Sequence, residues 1–245
     1  MLIDHTDVRR RFVAAHAGRE SAHGVADRID PSPWQYDYLV LRALRHDVEA
    51  LLREVRAPAG GGEALDVGSL RSPYMSLLQS RGYTVRTVDL TTEHGADYAG
   101  TAEATGRPEA SCDLVLCTQV LEHVRAPWIA MREFARILRP GGQLLVTIPH
   151  VWFYHPHPGD YWRVTQEGII ALCEDAGFRV RQVRAQGGSL VACGQVVNFL
   201  GYGVLGRAGA PLYGAVNLLA RAADRLVPNV LFSLNMACLA EKPAA

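Results

Sequence analysis

The sequence predicts an α/β fold with a doubly wound, mostly parallel β-sheet. Short apolar runs alternate with segments of helical spacing through the middle of the chain. At residues 64–74 a buried run is followed by a glycine turn and then by a helical segment, and two of the runs end in an aspartate. This alternation implies a sheet covered on both faces, with a ligand site at the carboxyl ends of its strands.

Length and composition set the outer limits of this prediction. A chain of 245 residues can form one large domain, or a domain with a cap. Its 25 basic residues balance its 25 acidic ones, so charge gives no reason to expect nucleic acid or another polyanion as a partner. The five scattered cysteines favour buried, reduced thiols over disulfides or zinc. Residues 1–11 are charged and lack the apolar core of a signal peptide, which predicts a cytoplasmic location.

Apolar spacing and turn residues predict the individual elements. A polar arm or lid, residues 1–33, precedes an amphipathic helix over residues 34–55. Strands are predicted up to Gly68 and over residues 83–90, 97–100, 112–117, 143–148, 178–183 and 230–239, and the last is expected to be antiparallel. Helices are predicted over residues 74–79 and 127–138 and, behind an N-cap at Thr165, up to Ala176.

The chain divides into three parts. Residues 1–57 form an N-terminal arm and helix, residues 58–186 with 229–245 form the ligand-binding core, and residues 187–228 form an apolar helical insertion. Glycines interrupt the insertion too often for a good membrane-spanning helix, so a cap over the pocket or a homodimer contact is favoured. The alternative is a peripheral membrane surface that reaches a lipid-linked acceptor, with Arg207, Arg221 and Arg225 at the headgroups.

Two aspartates and a glycine predict the kind of ligand. Gly68, directly after the first strand, would let the backbone lie close to a bound molecule because it has no Cβ. Asp89 ends the next strand about 20 residues further on, where a carboxylate meets the ribose hydroxyls of a nucleoside. The alternative is that Asp66 and Asp89 are turn-forming or helix-capping acids. The pattern favours a nucleoside-type ligand.

Four segments together resemble class I S-adenosylmethionine-dependent methyltransferases. The similarity covers roughly residues 60–185 and the last strand, and its segments are Asp66-Val67-Gly68, Val88-Asp89, residues 113–124 and residues 138–146. The segment His155-Pro-His-Pro-Gly-Asp160-Tyr-Trp-Arg-Val-Thr165 is also similar to bacterial glycan and secondary-metabolite methyltransferases. Leu70 and Ser72 stand where the family has its later two glycines, so the resemblance implies a variant loop.

The resemblance implies a Rossmann-like methyltransferase fold with S-adenosyl-L-methionine as cofactor and S-adenosyl-L-homocysteine as product. Asp66, Gly68 and the neighbouring Ser69 would border the methionyl part, Asp89 would accept both ribose hydroxyls, and Leu90 would cover one face of the adenine. Thr101 and the Ala102 backbone would meet the adenine edge, and Thr118 and Gln119 would bind the ammonium group.

The loop after the fifth strand is the predicted source of a general base, since a hydroxyl acceptor must lose its proton. Its candidates are His155 and Asp160 first, then His150, His157 and Tyr161. These polar groups could instead hold a proline-rich loop in shape. Glu122 and His123 are predicted to support the site without taking part in the chemistry. A His155/His157 metal pair has no third ligand at a fitting spacing, so no metal is predicted.

The predicted function is O-methylation of a sugar or phenol hydroxyl on a small or carrier-linked acceptor, a glycan or a secondary metabolite. A non-catalytic scaffold with the same fold is the first alternative, because the turn lacks two glycines. A nicotinamide-dependent oxidoreductase is less favoured, since it needs glycines where Leu70 and Ser72 stand.

Overall fold

The computed structural model describes residues 28–68, 72–156 and 159–244. Within these residues, seven strands form one sheet in the order β3-β2-β1-β4-β5-β7-β6. The strands are β1 (Gly62–Val67), β2 (Tyr83–Asp89), β3 (Tyr98–Ala99), β4 (Cys112–Thr118), β5 (Leu138–Pro149), β6 (Arg179–Gln186) and β7 (Asn235–Glu241). Strands β1 to β5 pair in parallel, whereas β7 lies antiparallel between β5 and β6. The predicted mostly parallel sheet with an antiparallel last strand is confirmed.

Helices cover both faces of the sheet, as a doubly wound fold requires. They are α1 (Tyr38–Glu54), α2 (Met75–Ser80), α3 (Pro127–Ile137), α4 (Gln166–Asp175), α5 (Ser189–Leu205) and α6 (Ala210–Leu226). One core cluster joins α1 and α2 to Leu114 and Leu116 of β4. A second joins α3 and α4 to Val115 and Cys117 of the same strand. Because side chains alternate along a strand, neighbouring β4 residues belong to opposite faces.

Most predicted elements are present, with shifted ends. The Thr165 cap is confirmed, since its Oγ1 accepts a hydrogen bond from the Gly168 amide at 3.1 Å. The last strand begins at Asn235, five residues after its predicted start. The apolar residues before it form an exposed loop, in which Leu231 is 86% exposed. The prediction that the strand begins at residue 230 was therefore wrong, because an exposed apolar run was assigned to the sheet.

The insertion predicted at residues 187–228 is an antiparallel helical hairpin. Asn198 of α5 donates to Asn217 of α6 at 2.7 Å, and Asn217 donates to the Pro33 carbonyl at 2.7 Å. Gln195 accepts from the Val40 amide at 3.1 Å. The three amides are almost fully buried, so buried hydrogen bonds fix the hairpin to the start of α1, although Asn198 Oδ1 has no partner among the described residues.

By length and composition the segment Ser189–Leu226 could cross a membrane, but it is folded as α5 and α6 with a 3₁₀ turn at Gly206–Gly209 between them. The five cysteines are free thiols. Four of them are buried, as predicted, whereas Cys193 on α5 is exposed. Most of the predicted arm, residues 1–27, lies outside the described residues.

Candidate active site

A cavity of about 1300 Å³ opens at the carboxyl ends of β1, β2 and β4. Sites for single small molecules usually measure about 300–1000 Å³, so this cavity has room for two. Strand ends form one half, which we call the cofactor half. The start of α1, the loop after β5 and one face of α5 form the other, which we call the acceptor half.

The cofactor half contains most of the residues that the sequence assigned to a nucleoside cofactor. Those on the cavity wall are Gly68, Asp89, Leu90, Thr101, Ala102, Thr118 and Gln119. Ser69 lies outside the described residues. Asp66 is described but does not lie on the wall. The topology therefore brings residues from three strand ends to one surface, while their individual contacts with a cofactor stay predictions.

Asp89 and Leu90 form the best-defined part of this half. Asp89 ends β2, and its Oδ1 accepts a hydrogen bond from the Leu90 amide at 2.7 Å. Leu90 is 60% exposed although it faces a cavity. A carboxylate beside an uncovered apolar side chain suits a ligand with adjacent hydroxyls and a flat apolar base.

Gly68 is needed for a reason other than the predicted one. Its φ is +70°, and a Cβ there would lie 2.5 Å from Cγ2 of Val120. A Cβ at Gly68 would thus clash with Val120, so the prediction that this Cβ would occupy ligand space is corrected. Gly68 lets β1 turn sharply against Val120, and the turned backbone forms part of the wall.

Asp66 supports the turn from behind the wall. It is 1% exposed, and its Oδ2 accepts a hydrogen bond from Ser72 Oγ at 2.6 Å. Burial raises the pKa of Asp66 to about 7, although the Ser72 hydrogen bond opposes the shift. The predicted place of Asp66 beside the methionyl part is thus corrected to one that shapes the loop, because its side chain does not reach the cavity among the described residues.

Gln119 holds a strained backbone where β4 leaves the sheet. Its φ is +55°, an uncommon value for a residue with a side chain, and such strain concentrates at functional sites. Its backbone amide donates to the Thr147 carbonyl at 3.0 Å, and its Nε2 donates to Thr147 Oγ1 at 3.1 Å. The amide nitrogen is therefore committed to β5, which leaves the Gln119 side-chain oxygen to accept from a ligand.

Glu103 is a wall residue that the sequence analysis missed. The resemblance placed the adenine edge at Thr101 and Ala102, where an acid is common in the family. An acid does stand one position beyond Ala102, and this was the available signal. Its carboxylate gives the cofactor half a second negative group besides Asp89.

Stacked aromatic rings line the acceptor half. Phe153, from the loop after β5, stacks on Phe199 of α5 with ring centroids 3.7 Å apart and planes 13° apart. Tyr36, before α1, stacks on Tyr202 of α5 at 4.0 Å and 19°. All four residues line the cavity, together with Trp152. The hairpin thus contributes one wall of the cavity.

Of the proposed general bases, the structure places His155 and Tyr161 on the wall. His150 is directed elsewhere, with its Nδ1 2.8 Å from the Val164 carbonyl, and it does not line the cavity. His157 lies outside the described residues. His150 is therefore corrected from a candidate base to a residue that holds the loop.

Asp160 is tied to its neighbours and does not face the cavity. Arg163 donates to both carboxylate oxygens at 2.6 and 2.8 Å, and the His155 backbone amide donates to Oδ2 at 2.8 Å. Burial alone would raise the pKa of Asp160, but the hydrogen bonds from His155 and Arg163 outweigh it and hold the pKa well below its usual value. Asp160 is therefore a weak base, and its predicted role as a general base is corrected to that of a positioning residue for His155.

Glu122, His123 and His155 meet at the cavity wall. Oε1 of Glu122 lies 3.8 Å from Nε2 of His123 and 4.0 Å from Nε2 of His155. Burial raises the pKa of Glu122 to about 7, against the opposing effects of its own backbone amide and of His155 and Arg163. The prediction that Glu122 and His123 only support the site missed this grouping, since His123 and His155 are 32 positions apart in the sequence.

Comparisons with known proteins agree with this geometry. Residues 65–146 match the family model described as methyltransferase domain, about a third of the chain. A search of curated protein sequences gives no significant match. Among solved structures, the [4+2]-cyclase SpnF is 18% identical with a TM-score of 0.56, and the match covers 82% of each chain.

Two further similar structures are methyltransferases by name. An S-adenosylmethionine-dependent methyltransferase from Mesorhizobium loti is 14% identical with a TM-score of 0.55, covering 83% of this chain and 99% of that one. Phosphoethanolamine N-methyltransferase 2 from Haemonchus contortus, solved with phosphomonomethylethanolamine and S-adenosylhomocysteine, is 15% identical with a TM-score of 0.54. That match covers 90% of this chain and 59% of the other.

The matched domain and the fold point to one class of protein. Residues 65–146 match a methyltransferase domain, and the sheet has the Rossmann-like fold of S-adenosylmethionine-dependent methyltransferases, which supports an enzyme of this kind. Two of the similar structures, both from Haemonchus contortus, contain S-adenosylhomocysteine or S-adenosyl-L-methionine, which agrees with the cofactor predicted from this sequence. The cofactor half fits this group, because the Asp89 carboxylate can accept hydrogen bonds from ribose hydroxyls and the exposed Leu90 side chain can cover the adenine. The nicotinamide alternative has no support in these matches.

Proposed function

We propose that this protein O-methylates a sugar or phenol hydroxyl on a small or carrier-linked acceptor. Bound S-adenosylmethionine supplies an activated methyl group on a sulfonium sulfur. Transfer forms an oxygen–carbon bond at the acceptor, breaks the sulfur–carbon bond and leaves its electron pair on sulfur. The hydroxyl proton passes to a base in the wall, so alignment and proton removal are the tasks left to the protein.

The aromatic walls support an acceptor that contains a ring. Phe153 and Phe199 present one stacked pair to the cavity, and Tyr36 and Tyr202 present another. Aromatic faces favour phenol rings by offset stacking, and they also cover the apolar faces of sugars.

The observation that carries the proposal is a histidine held as a proton acceptor in the acceptor half. Nδ1 of His155 lies 2.9 Å from the Phe153 carbonyl and 3.3 Å from Asp160 Oδ2. A third contact, with Arg163 Nη2, is longer at 3.4 Å. The two nearer partners are acceptors, so Nδ1 carries the hydrogen and the neutral ring keeps its lone pair on Nε2. The side chain is only 23% exposed and lines the cavity, which limits competition from water.

Charged and apolar surfaces support a carrier on the acceptor. Arg28 and Arg125 line the cavity and can neutralise a phosphate of a nucleotide or lipid carrier. The outer side of the hairpin exposes large apolar residues, among them Val204 at 85% and Leu218 at 68%. We infer a peripheral membrane contact there for a lipid-linked acceptor, rather than a spanning helix.

A product screen tests the reaction. Purified protein with S-adenosylmethionine is incubated with nucleotide sugars, glycosylated metabolites, phenols and lipid-linked glycans, and mass spectrometry with NMR locates any added methyl group. We expect O-methylation of at least one ring acceptor. Methylation of amines alone would contradict the proposal. His155→Ala should lower kcat at least about 100-fold, within the usual range for loss of a general base.

The His155 variant needs two controls. Its affinity for S-adenosylhomocysteine should stay within about twofold of the wild type, since His155 lies in the acceptor half. His46→Ala removes a histidine whose side chain is 71% exposed and should leave kcat unchanged. An active His155→Ala variant would show that the proton leaves by another route.

Liposome flotation tests the membrane contact. Leu218→Asn with Leu219→Asn, on the exposed side of α6, should reduce flotation on anionic vesicles at least about threefold. Ile129→Asn on α3 changes an apolar side chain that is 44% exposed outside the hairpin, and it should have no effect. Equal flotation of all three proteins would contradict the membrane role and favour a soluble acceptor.

A further inference from the structure

Three potential metal-ligand atoms converge at one point of the cavity wall. They come from Glu122 and His123, in the 3₁₀ turn after β4, and from His155 in the loop after β5. One ligand atom of each residue lies within 4.8 Å of the other two. Two atoms that bind one zinc ion at about 2.1 Å are at most about 4.2 Å apart. The separations of 3.8 and 4.0 Å from Glu122 lie below this limit but above the about 3.4 Å of a tetrahedral zinc site, so the three side chains would have to move closer together to bind one ion.

The outer nitrogens of both imidazoles are held in the way that metal-binding histidines are held. Nδ1 of His123 lies 2.6 Å from the Gly159 carbonyl, and Nδ1 of His155 lies 2.9 Å from the Phe153 carbonyl. A carbonyl only accepts, so each Nδ1 carries its hydrogen and each neutral ring has its lone pair on Nε2. Histidine ligands of metals usually donate their second nitrogen to a carbonyl or carboxylate, which fixes the ring.

Glu122 provides a second, independent indication of a bound cation. The side chain is 0% exposed, and neither carboxylate oxygen has a hydrogen-bond partner among the described residues. A buried carboxylate is normally hydrogen-bonded, paired with a charge or bound to a metal. The nearby charged groups Asp160 and Arg163 pair with each other at 2.6 Å, so Arg163 is already engaged by another carboxylate.

We propose that Glu122, His123 and His155 form a binding site for a divalent first-row transition metal, with zinc the best fit. Two imidazoles and one carboxylate are a donor set of catalytic zinc sites, which keep one position open. All three residues line the cavity, so that open position faces the acceptor half.

The role of the metal rests on the proposed function, whereas the site itself does not. A divalent cation that binds the acceptor hydroxyl would lower its pKa, so that a solvent water could take the proton while His155 Nε2 stays bound to the metal. The hydroxyl oxygen stays on the metal as the nucleophile, and no redox step is involved. Without a cation, the same cluster can only accept the proton.

Metal titration of the tag-free, chelator-treated protein tests the site without any acceptor. We expect one equivalent of Co²⁺ to bind with micromolar or tighter Kd, to give the visible absorption of a four- or five-coordinate site, and to be displaced by Zn²⁺. Glu122→Gln, His123→Gln and His155→Gln should each weaken Co²⁺ binding at least tenfold. His94→Ala, which removes another histidine of the same cavity, should bind as tightly as the wild type.

The outcomes separate the metal site from the proposed function. Circular dichroism and S-adenosylhomocysteine affinity verify that each variant is folded. No stoichiometric Co²⁺ binding by the wild type, or full binding by Glu122→Gln, overturns the metal site. If O-methylation then persisted in the presence of chelator, the proposed role of His155 as proton acceptor would still stand. Metal binding without any O-methylated product would instead contradict the proposed function alone.

Discussion

The two halves of the cavity are built in different ways. The cofactor half uses residues at or next to the ends of three parallel strands, and neighbouring residues such as Asp89 and Leu90 act together. The acceptor half combines distant segments, so that Phe153 meets Phe199 and His123 meets His155 only after folding. One half is thus determined locally, and the other by how loops and the hairpin pack on the sheet.

This difference separates the fixed chemistry from the variable chemistry of the fold. Strand ends position a cofactor in the same way whatever the acceptor is, and added segments decide what enters beside it. The similarity to SpnF, which is named a cyclase, agrees with this separation. We therefore expect changes in the cofactor half to affect folding and cofactor binding, and changes in the acceptor half to affect turnover and KM.

The largest expected effect is that of Gly68→Ala on stability. The φ of +70° costs an alanine about 1–2 kcal/mol, and the overlap of its Cβ with Val120 adds about 1–3 kcal/mol. Chemical denaturation should show a loss of about 2–5 kcal/mol in the free energy of unfolding. Adding Val120→Ala should recover part of the loss, because it removes the overlapping methyl groups. Strictly additive losses would show that the two residues do not compete for space.

Loss of Asp89 should have the next largest effect, this time on cofactor affinity. A carboxylate that accepts two ribose hydroxyls contributes about 1.5–3 kcal/mol for each hydrogen bond. Calorimetry should find S-adenosylhomocysteine bound at least about 100-fold more weakly by Asp89→Ala, with no NADH binding by either protein. Glu93→Ala, on the same loop but off the cavity wall, should bind normally. Unchanged affinity in Asp89→Ala would remove the ribose assignment.

The sequence could predict what depends on neighbouring residues. Alternating apolar runs defined the sheet, and the acid at the end of β2 located the cofactor half, because strand ends are local features. It could not show that Gly68 turns against Val120, since steric contacts across a turn leave no periodic signal. It also placed the last strand too early, because exposed apolar residues such as Leu231 resemble buried ones in sequence.

The acceptor half was predictable only as a list of residues. His150, His155 and Asp160 follow the same strand and have similar chemistry, yet the structure places only His155 on the wall. Their orientations depend on the Val164 carbonyl and on Arg163, which no spacing rule links to them. Glu122 reaches His155 across the gap between two strand ends, so the partnership is visible only in three dimensions.

The pH dependence of stability tests whether the buried carboxyl group of Asp66 holds the turn after β1 from behind the cavity wall. Its folded-state pKa is about 7, compared with about 3.9 in an unfolded chain. Between these values the folded protein binds more protons than the unfolded one, so its stability falls as pH rises from about 4 to 7 and then levels off. Asp66→Asn, which can still accept from Ser72, should remove this contribution, about 1 kcal/mol per pH unit in denaturation at pH 5, 6 and 7. Parallel pH profiles of the two proteins would contradict a buried, protonated Asp66.

The smallest effect we expect is also the one that best separates the two halves. Phe199→Ala removes one ring of the stacked pair in the acceptor half, and loss of such a contact is worth about 1–1.5 kcal/mol. The KM for the acceptor should therefore rise about tenfold, while affinity for S-adenosylhomocysteine stays unchanged. Val197→Ala, on the same helix but 51% exposed and off the cavity wall, should change neither value. If Phe199→Ala weakened S-adenosylhomocysteine binding as strongly as it raised KM, the halves would not act independently, and the hairpin would belong to the cofactor site as well.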